Sequence, residues 1–183
     1  RIMALAYFLV WAWEEHKQAA KQIGEPATKQ ITFLIDEIES HLHPSWQRSI
    51  VPALLSVMEK LTKNAEVQLI TATHSPLIMA SVEPVFDPRI DAWFDLDLIK
   101  DKVTLTNRNF VRQGEVSRWL MSEAFDLGSA RSLPAEKLLQ QAAEILSEKV
   151  IDHEHAKELD TQLRGLLGDT DPFWIRWRYV GEK

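Results

Sequence analysis

Apolar residues recur at three- and four-residue spacing from the start of the chain: Ile2, Leu5, Ala6, Leu9 and Trp13. This is the period of a helix face, and it predicts a helix over residues 1 to about 22. Charge enters only from Glu14 to Lys21, so the first half is apolar nearly all round and is expected to be buried on more than one side. Gly24 to Gln30, with Pro26, reads as a connector. Ile31 to Ile35 is a β-branched and aromatic run, the pattern of a strand covered on both faces and central in an α/β sheet. The polar segment Asp36 to His43 leads to Pro44, which suits a first helical turn. Trp46, Ile50, Leu54, Val57 and Leu61 then mark one helix face, with Pro52 expected to kink it.

Val67 to Thr71 predicts a second buried strand, and Ser75-Pro76 the cap and first residue of a short helix. Asp91 to Leu98 and Val103 to Asn107 predict a hairpin turning at Lys100-Asp101-Lys102, with Phe94, Leu96 and Leu98 alternating with Asp95 and Asp97. Glu115 to Phe125, Pro134 to Ser147 and Asp152 to Leu167 read as helices, and Asp171 to Tyr179 as an aromatic and basic tail. The strand–helix alternation gives way to helices near Asn109 to Gln113. That change divides the chain into residues 1–108 and a helical region, 109–183.

Composition narrows the function. The chain has 183 residues, 21 Lys plus Arg, 27 Asp plus Glu and a formal charge of −6, a balance that argues against generic wrapping of nucleic acid. The absence of cysteine excludes disulfides, thiolate zinc sites and a cysteine nucleophile. The uncharged run from Ile2 to Trp13 is shorter than the roughly 18 residues a membrane span needs, so a soluble protein is expected. The chain opens on Arg1 inside a helical pattern, which reads as a piece of a longer protein.

Two strand ends carry candidate chemistry. The first strand ends in Asp36-Glu37. Ligands of open α/β sheets gather at the carboxyl ends of strands. One carboxylate there can hold Mg²⁺ through water, and the next can orient a water for attack on phosphorus. The second strand ends in Thr71-Ala72-Thr73-His74-Ser75-Pro76, where a histidine can bond a terminal phosphate. One amphipathic helix separates the strands, so both ends are expected at one sheet edge.

This order resembles the second half of an ABC-type ATPase head. Asp36-Glu37 looks like the end of a Walker B strand, Ser40-His41-Leu42-His43 falls where such heads carry the D-loop, and Thr73-His74-Ser75-Pro76 looks like the switch-histidine loop. The wording Asp-Glu-Ile-Glu-Ser-His-Leu-His-Pro is most similar to the RecF/OLD-like branch of bacterial AAA-family ATPases. The resemblance covers about residues 1 to 108. It implies a part of a P-loop NTPase sheet with flanking helices, binding ATP and Mg²⁺. Asp36 would serve Mg²⁺ through water, Glu37 would orient the hydrolytic water and His74 would contact the γ-phosphate. Ser40 to His43 would cross a head-to-head homodimer towards the partner's phosphate loop. His43 stands where transporter heads place an Asp, so that contact must differ in detail. The resemblance further implies a cytoplasmic ATPase passing its output to an effector, a nuclease subunit among the candidates, in DNA repair or anti-phage defence.

The chain departs from the full pattern. It holds no Gly-x-x-x-x-Gly-Lys-[Ser/Thr] loop, no signature motif and no glutamine loop. By itself it is therefore expected to lack complete ATPase machinery. Two other readings stand beside the ATPase: a helical interaction module on a degenerate ATPase half, and an OLD-like Toprim nuclease using Asp95 and Asp97 for metal. Glu39, His41 and His43 have the composition of a zinc cluster but fall in the D-loop-like segment. In the tail, tryptophans packed inward with arginines outward are favoured over stacking on bases or docking a partner.

Overall fold

The computed structural model describes residues 2–61, 65–147 and 152–181. The side chains of Ile2, Leu61, Arg178 and Tyr179, which the sequence assigns to the first two helices and the tail, lie outside the described residues. The chain divides into two compact units, one ending at Trp119 and one beginning at Leu120.

The first unit is mixed α/β. Helix α1 (Ile2–Ile23) precedes strand β1 (Gln30–Ile35), helix α2 (Pro44–Leu61), strand β2 (Glu66–Thr71) and helix α3 (Pro76–Val82). β1 and β2 pair parallel and in register, Ile31 opposite Val67 and Ile35 opposite Thr71. One face of the pair carries Phe33, Ile35, Val67 and Leu69, packed against Leu9 of α1, Ile50, Leu54 and Met58 of α2, and Ile78 of α3.

Two expectations about this layer are corrected. β1 is covered on one face: Leu34 is 79% exposed and Ile70, beside it on β2, 46%. All the packing helices meet the odd-numbered positions of the strand, so the even-numbered ones face away from the core. Likewise α1 buries a single stripe through Leu9 and Ala20, while Tyr7, Phe8 and Trp11 stay exposed. A run of apolar residues specifies a surface able to be buried on several sides, and here only one side meets the core.

Strands β3 (Trp93–Ile99) and β4 (Lys102–Arg108) form the hairpin. Its two turn residues, Lys100 and Asp101, both have positive φ, as a tight primed turn requires. The acidic positions take the more sheltered face. Leu96, Leu98 and Val103 are exposed, whereas Asp95 lies on the sheltered side and pairs with Arg108 at 3.3 Å. A charged partner on the adjacent strand makes that side tolerable for the carboxylate.

Helix α4 (Val116–Leu120) is shorter than the predicted 115–125 segment. Its Trp119 is 1% exposed and joins Phe86, Trp93 and Phe110 in an aromatic cluster. Glu83, just past α3, fastens the 113–119 segment to this unit. One of its oxygens accepts the backbone N–H groups of Gln113 and Gly114 and the Trp119 indole N–H, at 2.7, 3.0 and 2.7 Å. Burial raises the pKa of this carboxyl, but the three donors and nearby Arg112 outweigh burial and hold it below its ordinary value of 4.5. A lowered folded-state pKa means the carboxylate stabilises the fold above the unfolded value, and that contribution is lost as the pH falls through the range below 4.5. Glu83→Ala is therefore expected to cost about 1–3 kcal/mol at neutral pH. The gap from wild type should narrow below pH 4.5. Urea unfolding followed by tryptophan fluorescence across pH 7 to 3 reads both effects.

The second unit consists of α5 (Leu133–Ser147), α6 (His153–Arg164) and α7 (Phe173–Gly181) around Ala142, Ile145, Leu159, Leu163, Trp174 and Trp177. Asp152 caps α6 by accepting the N–H groups of Glu154 and His155. The tail packs its tryptophans inward: Trp177 is 1% exposed and donates its indole N–H to Asp160 at 2.9 Å, and Trp174 donates to the Gly168 carbonyl at 2.8 Å. Arg176 is exposed.

Candidate functional site

The parallel register of β1 and β2 brings both candidate motifs to one edge. The ladder continues one step past the strands, with the Ala72 N–H donating to the Ile35 carbonyl at 3.1 Å. Asp36-Glu37 and Thr73-His74 therefore leave adjacent strand ends in the same direction.

Beyond β1 the chain makes two tight turns. The Ser40 N–H donates to the Glu37 carbonyl at 2.8 Å and the Leu42 N–H to the Glu39 carbonyl at 2.9 Å. Glu37 sits at φ 46° and His41 at φ 64°, the left-handed region that non-glycine residues rarely occupy. Such residues cost on the order of 1 kcal/mol each and gather at functional sites. The turn at Glu37 drives Ile38 into the core, 7% exposed, while the Asp36 and Glu37 side chains remain exposed. Asp36, Glu37 and Ser40 line one cleft of about 420 Å³ with Leu5, Phe8 and Ile38. His74 and His43 lie outside that lining.

His43 caps α2. Its carbonyl accepts the Trp46 and Gln47 N–H groups, and its ring Nδ1 accepts the Ser45 N–H at 3.3 Å and lies 2.8 Å from the Ser45 hydroxyl. With Nδ1 accepting, the neutral ring carries its proton on Nε2, so any phosphate contact by this residue would run through Nε2.

His74 is exposed, but its backbone is held. Its N–H donates to Glu39 Oε1 at 2.6 Å, and the Thr73 hydroxyl donates to Glu39 Oε2 at 2.7 Å. Ser75 caps α3 and donates its hydroxyl to Gln47 Oε1 at 2.6 Å, while Gln47 Nε2 donates to the Leu42 carbonyl at 3.1 Å. Glu39 and Gln47 thus lace the two motif loops together. Sequence reading takes up Glu39 only as a metal candidate and passes over Gln47, because their partners lie 34 and 28 positions away. The one available signal is that a second acid follows Asp36-Glu37 in the same short segment.

These bonds also involve acids of the weaker metal readings: Glu39 is engaged by Thr73 and His74, and Asp95 by Arg108. Among the described residues no group of three His, Cys, Asp or Glu is placed to hold a metal ion. Mg²⁺ requires less: one carboxylate with water and substrate phosphate oxygens suffices, and exposed Asp36, in the lining of the cleft, offers an oxygen ligand of that kind. No helix among the described residues is long and apolar enough to cross a membrane.

Residues 4–80 match a family described as "AAA domain, putative AbiEii toxin, Type IV TA system". The chain is 31% identical over 153 residues to "Retron Ec83 probable ATPase" of Escherichia coli, covering 82% of this chain and 25% of that protein. It is 45% identical over 49 residues to "Retron Vc95 probable ATPase" of Vibrio cholerae serotype O1 biovar El Tor, covering 27% of this chain and 8% of that protein. The chain spans at most a quarter of the length of these relatives. The family match spans both strand ends, Asp36-Glu37 and Thr73-His74.

Proposed function

We propose that the chain is the carboxyl-terminal part of an ABC-type, RecF/OLD-like ATPase head that hydrolyses ATP. One observation carries this reading: two parallel strands in register deliver Asp36-Glu37 and Thr73-His74 to the same edge, with Glu39 joining them. Asp36 would hold Mg²⁺ through water, and the ion would neutralise charge on the phosphates. Glu37, turned outward by its positive φ, orients the attacking water and accepts its proton. His74 donates a hydrogen bond to the γ-phosphate. Ser40 to His43 face a second head in an ATP-bound homodimer, His43 donating through Nε2. Hydrolysis reopens the dimer and signals to an effector, a nuclease subunit in a DNA-repair or anti-phage setting. The names of both relatives, each a probable ATPase, support the ATPase part of this reading.

His74→Ala in the full-length protein tests the assignment. The side chain is exposed at a strand end, outside the core, so the substitution should lower turnover by about tenfold or more with little loss of stability. Phosphate release and thermal melting are measured on the same preparation. A protein that melts early but keeps wild-type turnover per folded molecule would assign His74 to structure alone.

A further inference from the structure

We propose that Glu39 is a positioning residue for ATP hydrolysis, acting through His74 without touching the nucleotide; this rests on the ATPase reading above. An acid in a surface turn is ordinarily solvated, yet both carboxylate oxygens of Glu39 are spent on the neighbouring strand's loop. Oε1 takes the His74 backbone N–H at 2.6 Å and Oε2 the Thr73 hydroxyl at 2.7 Å. The His74 N–H lies beyond the last ladder bond, so Glu39 supplies the acceptor that the sheet no longer provides. Charge-assisted bonds of this length are among the stronger ones available to a side chain.

The bonds close a ring. The Thr73 hydroxyl accepts the Ser75 N–H at 3.0 Å, the Ser75 hydroxyl donates to Gln47, and Gln47 donates to the Leu42 carbonyl. The Leu42 N–H returns to the Glu39 carbonyl. Residues 39–42 and 73–75 therefore move together. Glu39 fixes where the His74 ring leaves the strand edge, and it joins that ring to the Ser40–His43 segment proposed to face the second head. A displacement of His74 on loss of the γ-phosphate is carried by the same bonds to Ser40–His43.

The test uses the full-length protein and Mg-ATP. Glu39→Ala is expected to lower kcat by about tenfold or more, since misplacing a catalytic group by about 1 Å can cost that much, while KM stays within about threefold. Glu39→Gln keeps an acceptor for the His74 N–H and should recover most of the loss. Glu39→Asp, one methylene shorter, should not. In a His74→Ala background Glu39→Ala should add almost nothing, because both changes remove the same contribution. If Glu39→Ala folds poorly, Thr73→Val removes one of the two bonds at nearly constant volume, and its smaller loss should likewise vanish in the His74→Ala background. Wild-type kcat in Glu39→Ala, beside an impaired Glu37→Gln, overturns this inference and leaves the ATPase reading standing. Full additivity with His74→Ala also overturns it, since Glu39 would then act elsewhere. A wild-type protein without ATPase activity overturns both.

Discussion

In the full-length protein, Glu37→Gln is expected to lower Mg-ATP hydrolysis by about 10²-fold or more while ATP binding stays nearly intact. The amide matches the carboxylate in size, so the turn that holds this residue at φ 46° and its carbonyl bond from the Ser40 N–H should persist. What is lost is the base that orients the water and takes its proton. Asp36, the proposed Mg²⁺ ligand, is untouched, and so is His74 on the adjacent strand end. With binding retained and hydrolysis blocked, the ATP-bound dimer should accumulate. Calorimetry reads the binding, and light scattering with ATP present reads the mass. A variant that neither binds ATP nor changes mass would mean that Glu37 supports the site's structure and not its chemistry.

Residues 1–183 by themselves are expected to give no micromolar binding of Mg-ATP and no turnover. Backbone N–H groups and the lysine of a glycine-rich loop supply most of the phosphate-binding energy in such sites. No such loop occurs in this sequence. The cleft beside β1 offers two exposed carboxylates and a hydroxyl, and the chain carries a net charge of −6. Acids without compensating donors repel a triphosphate, so weak Mg²⁺ binding is the most this cleft should show. Calorimetry with Mg-ATP on this chain checks the point. Micromolar affinity would show that other residues in it cradle phosphates.

Local signals were legible where neighbours in sequence decide them. Ser75-Pro76 capped and opened α3 as its residue types predict, and the β-branched runs at Ile31 and Val67 formed the paired strands. The inward tryptophans of α7 follow from their three-residue spacing, with Phe173 completing the stripe. Coverage was not legible. A strand such as Ile31–Ile35 reads the same whether one face or both are packed, because the difference lies in which helices arrive and from which side. Leu34 and the exposed side of α1 record that limit. The hairpin formed where predicted but shows the same limit: alternation of Phe94, Leu96 and Leu98 with acids identifies two faces without telling which is sheltered, and the sheltered one carries the Asp95–Arg108 pair. At the site, the sequence placed Asp36, Glu37 and His74 at strand ends but could not show what steadies them. Glu39 and Gln47 act across the fold, and so does Glu83 in holding the 113–119 segment.

The measurement that bears most directly on the proposed site is steady-state phosphate release from Mg-ATP by the full-length protein, with wild type, Glu37→Gln and His74→Ala run side by side. The predicted result is ATP-dependent turnover in wild type, lost by about 10²-fold in Glu37→Gln and by about tenfold or more in His74→Ala, with all three proteins folded. Turnover in both variants equal to wild type would contradict the assignment of catalysis to these two strand ends.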